Sequence, residues 1–115
     1  MTVNKTTSLA QFPNIIQKQT ETVATTNSTS IAAFSIDDID TARVLISAVR
    51  GFDKQVSELL LIHDGTDAFA TEYGIVTTNS VLFTVDVDVF ESNVRILVEG
   101  TDAASTEYVT VLTLL

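Results

Sequence analysis

The sequence predicts an all-β protein: a single antiparallel β-sandwich of jelly-roll or immunoglobulin-like type, with an extended N-terminal arm. Thr, Val, Ile, Ser and Phe dominate, while Lys and Glu are too sparse to supply the exposed faces of helices. The only proline, Pro13, lies near the start, so nothing downstream interrupts a strand ladder. Alternating apolar runs recur at intervals of roughly 10 to 13 residues, close to the spacing of sandwiches and barrels.

The length of 115 residues corresponds to one domain with a core between two layers. Residues 1–16 are polar around a few apolar side chains without a period, which predicts an arm that orders against a neighbour, with Phe12, Ile15 and Ile16 as anchors. A frayed terminus is the alternative. Residues 17–115 form the predicted sandwich.

Turn signals divide the sandwich into about eight strands. Asn27-Ser28, Asn79-Ser80 and Glu91-Ser92-Asn93 are turns, and Asp64-Gly65 folds residues 55–76 into a hairpin, since both residues tolerate the positive φ of a type I′ turn. The other predicted strands are residues 17–26, 29–36, 42–50, 81–89, 94–99 and 106–115.

One face of the hairpin of residues 55–76 is coherently apolar, and we assign it to the core. The other face mixes apolar residues with Ser57, Glu72 and Gly74, yet its leucines mean that it must be covered too. Period-two alternation in the remaining strands completes the assignment. The predicted core is Val44, Ile46, Val56, Leu60, Ile62, Phe69, Tyr73, Ile75, Phe83, Val85, Val94, Ile96, Val109 and Val111.

The second face of this hairpin carries Leu59, Leu61, Ala68 and Ala70, an apolar stripe that the sandwich does not obviously need. We predict that this stripe mediates self-association, with a trimer as first choice and a dimer as second. Coverage by residues 17–34 of the same chain is the alternative.

Charge and composition exclude several function classes. The chain has 15 acidic residues against 6 basic ones, which argues against nucleic-acid binding and against anionic membrane surfaces. It has no cysteine, hence no thiolate metal site, and no apolar run of the roughly 20 residues that span a membrane. The start lacks the layout of a signal peptide, so we expect a soluble protein that is not secreted by that route.

The residues give no catalytic constellation, so we predict that the protein is not an enzyme and has no cofactor or metal. His63 is the only histidine, and a hydrogen-bonded or solvent-facing role at the hairpin end fits it better than a relay with Asp64. The best calcium candidate, Asp37-Asp38-Ile39-Asp40, lacks the spacing of a calcium loop. A solvated acidic loop is the preferred interpretation, with calcium binding left open.

Beyond these patterns, residues 31–115 resemble a small β-domain found in virion structural proteins of marine cyanobacterial tailed phages. The run SELLLIHDGTDAFATEYGIV carries the resemblance, followed by FTVDVDV, SNVRILVEGT and TEYVTVLTLL. Its most telling pieces are HDGT at residues 63–66, TEYG at 71–74 and NVR at 93–95. The resemblance implies a structural role without catalytic residues.

We therefore predict a viral structural protein. A capsid cement (decoration) protein on the phage head is the first choice, because a short acidic β-domain with an arm is similar in outline to such proteins. A receptor- or glycan-binding module of a tail fibre is the alternative. The expected partners are the major capsid protein or other virion proteins together with copies of the chain, and the expected location is the virion, assembled in the host cytoplasm.

Overall fold

The computed structural model describes residues 16–115, which form two antiparallel sheets packed face to face. The prediction of an antiparallel β-sandwich is confirmed, and no helix occurs in this range. The eight strands are β1 (Ile16–Val23), β2 (Thr29–Ser35), β3 (Thr41–Arg50), β4 (Asp53–His63), β5 (Ala68–Thr77), β6 (Phe83–Phe90), β7 (Asn93–Gly100) and β8 (Thr106–Leu114).

One sheet has five strands in the order β1-β8-β3-β4-β5, and the other has three in the order β2-β7-β6. The predicted arm lies outside the described residues except for Ile16, which begins β1. Across the gap between the sheets, the Gln19 amide donates to the carbonyl oxygen of Ala33 at 2.9 Å and accepts from its N–H at 3.2 Å. β1 and β2 are edge strands of different sheets, and these two bonds connect them in place of a strand ladder.

The core lies between the sheets and is built from the alternate residues that face inward. Val44 and Ile46 from β3, Phe83 from β6, and Val94 and Ile96 from β7 are buried as predicted. Val85 is partly buried against this cluster. The two largest buried rings, Phe83 and Tyr108, meet edge to face with centroids 5.3 Å apart.

The predicted core assignment is wrong for β4, most of β5 and β8. In these strands Leu60, Ile62, Phe69, Tyr73 and Ile75 are about half exposed, and Val56, Val109 and Val111 are only partly buried. The positions that fill the core in β4 and β8 are Gln55, Ser57, Leu59, Leu61, Tyr108, Thr110 and Leu112.

The turn between β3 and β4 decides this outcome. It contains only Gly51 and Phe52, with Gly51 at φ 61° as a two-residue turn of type II′ requires at its first position. Arg50 therefore pairs with Asp53, and every even-numbered residue of β3 shares its face with an odd-numbered residue of β4. Since Val44 must face the core, its partner Leu59 does too, and Leu60 faces outward.

Polar side chains on β4 and β3 form hydrogen bonds that hold the loop before β6 against the sandwich. The Gln55 side chain accepts a hydrogen bond from the Leu82 N–H at 2.6 Å and donates to the Ser57 hydroxyl at 3.1 Å. The Arg50 guanidinium donates to the Thr106 hydroxyl and to the Leu82 carbonyl oxygen, each at 2.9 Å. A polar residue such as Gln55 can occupy the core face because these bonds satisfy it.

Candidate functional site

The outward face of the five-stranded sheet carries the largest concentration of exposed apolar side chains. Twelve large apolar residues of the described chain are 41% exposed or more, and six of them point out from this sheet. No other described strand covers the surface, here named the open face. Its exposed apolar members are Ile16, Leu45, Leu60, Ile62, Phe69 and Val76, with the half-buried Val49, Val56, Val109 and Val111 between them.

A β-bulge in β5 adds an aromatic side chain to the open face. The pairing of β4 with β5 shifts by one residue between Glu58 and Leu59, which leaves Tyr73 as the extra residue. Tyr73 lies beside Glu58 and Arg43, and its pKa is raised because desolvation and the Glu58 carboxylate disfavour the phenolate. The guanidinium of Arg43 stands 3.7 Å from the Glu58 carboxylate. A tyrosine and one ion pair thus lie among the apolar side chains of the open face.

An apolar groove of about 480 Å³ lies at one end of the open face, where β3 and β5 begin and β4 ends. Leu60, Ile62 and Phe69 line one part of it, and Ala70 and Leu115 line another. Most of the lining residues point outward from the sheet, so the groove is part of the open face.

The interface residues predicted from sequence lie in several environments. Leu59 and Leu61 are 2% and 3% exposed between the sheets, so the prediction that they form a contact surface is corrected: the folded chain does not present them. Ala68 is partly buried against the core, and Ala70 lines the groove. Whether these two alanines contact a partner stays a prediction.

Of the three residues predicted to anchor the arm, only one lies within the described part of the chain. Phe12 and Ile15 lie outside the described residues, while Ile16 is 60% exposed at the first position of β1. Their role in anchoring the arm stays a prediction. Sequence reasoning missed Leu60 and Ile62 as surface residues, although the short turn at Gly51-Phe52 was a signal that could have fixed their side of the sheet.

The outward face of the three-stranded sheet is polar. Arg95 forms a bidentate pair with Asp88, with one bond of 2.8 Å from Nε to Oδ1, and its guanidinium lies 4.4 Å from the centre of the Phe90 ring. The hydrogen bonds from Arg95 lower the pKa of Asp88, and the carboxylate raises the pKa of Arg95. A groove of about 260 Å³ beside this pair is lined mainly by Ser28, Thr84, Asp86, Leu97 and Glu99.

His63 serves the loop that joins β4 to β5. Its Nδ1 accepts a hydrogen bond from the Gly65 N–H at 3.0 Å, which leaves Nε2 as the donor to the Ile39 carbonyl oxygen. Asp64 accepts from the N–H groups of Thr66 and Asp67, and these bonds lower the pKa of its carboxyl. The hairpin therefore closes with a four-residue loop rather than a two-residue turn at Asp64-Gly65, and backbone groups occupy both ring nitrogens of His63.

The acidic loops do not assemble into a recognisable metal centre. Within residues 16–115, no group of three or more His, Cys, Asp or Glu side chains converges in a way that could hold a metal ion. The part of the chain that the structure describes also contains no helix long and apolar enough to cross a membrane.

Comparison with known proteins finds similarity in structure only. No family model matches the chain, and no curated protein is significantly similar to it in sequence. The tailspike protein of Acinetobacter phage vB_ApiP_P1 has a similar fold over 98% of this chain, with a TM-score of 0.53 and 19% identity. The tailspike protein of Acinetobacter baumannii phage AM24 aligns over 95% of this chain with 8% identity, and its TM-score of 0.49 is too low to carry an argument.

The match with the first tailspike concerns a part of that protein. The chain spans 24% of its length, and 28% of the second tailspike. At 19% identity the likeness shows that the two share a β-sandwich fold.

Proposed function

We propose that this chain is a structural module of a phage virion and belongs to a tail spike or tail fibre. The observation that carries the proposal is the fold likeness to a phage tailspike over 98% of the chain. The resemblance of residues 31–115 to a virion β-domain of cyanobacterial phages supports the same class of particle. Of the two virion roles predicted from sequence, this likeness favours the tail module over the capsid cement.

The module contacts the host surface, in this proposal, through the polar face of the three-stranded sheet. The groove there presents the hydroxyls of Ser28 and Thr84 and the carboxylates of Asp86 and Glu99. Such groups accept and donate the hydrogen bonds that sugar hydroxyls need, and binding sites for small molecules are concave with a few polar groups of this kind. Phe90, half exposed beneath Arg95, adds an aromatic surface farther along the same face, at the other end of β6.

The copy number of the chain in purified particles tests the location. Quantitative mass spectrometry of virions that contain this chain should give far fewer copies than the major capsid protein. A copy number matching that of the capsid protein would instead identify a cement protein.

A glycan array tests the binding role. The intact chain should bind at least one bacterial surface polysaccharide, and Asp86→Asn combined with Glu99→Gln should weaken that binding. Lys54→Gln, on the other sheet, is the matched polar control. Unchanged binding by the double variant would remove the groove from the proposal. That the chain has no catalytic activity stays a prediction, and release of reducing ends from a bound polysaccharide would contradict it.

A further inference from the structure

The open face has the composition of a contact surface rather than of a solvent-facing sheet. Leu45, Leu60 and Phe69 are 41%, 44% and 54% exposed, on strands that lie next to one another or are separated by only one strand. A sheet with one face in water normally alternates apolar residues inside with polar residues outside. Exposed large apolar side chains gathered on one sheet face in this way mark an interaction site.

The size of the open face suits a protein partner. Five strands spaced about 4.8 Å apart cover about 24 Å, and strands of 8 to 11 residues at about 3.3 Å per residue cover about 26 to 36 Å. The product, about 600 to 900 Å², is close to the roughly 800 Å² that each partner contributes to a stable interface. A small ligand in the groove at its end would cover only a fraction of this surface.

Charge identifies the partner. The chain carries a formal net charge of −9, so most of its surface repels another copy. The open face is the exception, because the outward-pointing residues Lys18, Arg43 and Lys54 outnumber the acids Glu58 and Glu107. Each open face carries a net charge of only +1 from these residues, so two open faces repel each other far less than the acidic remainder of the surface does. The Arg43–Glu58 pair also offers both signs for exchange between copies.

We propose that the open face packs against the open faces of further copies of this chain. Leu60, Ile62 and Phe69 form the apolar centre. The Arg43–Glu58 pair, with Tyr73 next to it, lies between this centre and Leu45. This interface lies on the opposite side of β4 from the Leu59 and Leu61 stripe predicted from sequence. In the assembly the apolar sheets face inward, and the acidic three-stranded sheets face the solvent.

Sedimentation velocity and light scattering on the full chain test the proposal over a wide concentration range. The wild-type chain should form a dimer or trimer, and Leu60→Glu should weaken association by about 100-fold, since each interface would bury an added carboxylate. Position 60 is 44% exposed in the single chain, so the new carboxylate stays in water until the chains associate, and folding is retained.

Val81→Glu is the matched control, because Val81 is 45% exposed in a loop away from the open face, compared with 44% for Leu60. This variant should associate like the wild type, and circular dichroism with thermal melting should show both variants folded. Lys18→Glu, which reverses a charge on the open face at an exposed position, should also weaken association and gives a second variant that leaves the core untouched.

A wild-type chain that stays monomeric at its highest soluble concentration would overturn the proposal. So would Leu60→Glu and Lys18→Glu variants that associate as tightly as the wild type. If the full chain is monomeric and a variant lacking residues 1–15 associates, the N-terminal segment covers the open face instead. Glycan binding by a monomeric chain would leave the proposed tail function intact, so the two failures are distinguishable.

Discussion

Replacing two neighbouring leucines of β4 by alanine distinguishes its two sides directly. Leu61 is 3% exposed in the core, whereas Leu60 is 44% exposed on the open face. Leu61→Ala removes a buried side chain from a close-packed interior and should lower the free energy of unfolding by about 2–5 kcal/mol. Leu60→Ala, which removes a side chain that is already half in water, should cost about 1 kcal/mol or less.

Urea unfolding followed by circular dichroism measures both values, at a protein concentration low enough for the wild type to be monomeric. This condition separates the stability of the fold from any association through Leu60. Leu59→Ala, at 2% exposed, should behave like Leu61→Ala. Equal losses for positions 60 and 61, or a larger loss at 60, would refute the assignment of β4 and with it the open face.

Three further substitutions probe other parts of the fold. Gln55→Leu should lower the free energy of unfolding in urea by about 1–3 kcal/mol, because it leaves the buried N–H of Leu82 without an acceptor; an unchanged midpoint would contradict this. Ser92→Gly should increase the free energy of unfolding by up to about 1 kcal/mol and so raise the thermal midpoint, since Ser92 has a φ of 66°, where a side chain is strained. A lower midpoint would show that the turn is unstrained. Asp88→Asn should lose at most about 1 kcal/mol at neutral pH, because the pair with Arg95 is partly exposed. Arg95 lowers the pKa of Asp88 in the fold from its ordinary 3.8, so this contribution is present above that pH and disappears as the pH falls through the folded value. A difference from wild type that persists in strong acid would contradict the ion pair as its source.

Most of the strand pattern could be predicted from the sequence because its signals are local. Around Phe83 and Val85, and around Val94 and Ile96, apolar residues alternate with polar ones, so the side of the strand that faces the core is unambiguous. The turn after Phe90 follows from polar residues between two such runs. These features need only neighbouring residues, and the structure confirms them.

The side of β4 that faces the core could not be predicted from its own residues. Both faces are apolar, and the buried one even contains Gln55 and Ser57, which hydropathy places outside. Gln55 can be buried because Leu82, far along the chain, supplies a donor for its side chain. The predicted interface was misplaced for the same reason. Choosing the wrong side of β4 puts Leu61 on the surface and Leu60 in the core, whereas the structure has the reverse.

The all-β class and the position of most strands follow from local sequence, because composition and period-two alternation are properties of short segments. Which apolar face of the five-stranded sheet stays in contact with water depends instead on how the strands pair and how the two sheets pack. The two-residue turn at Gly51-Phe52 fixes the pairing of β3 with β4, and the second sheet has three strands against five in the first. A sandwich buries one side of each sheet, so an apolar second side becomes a surface, and its residues are the ones available to a partner.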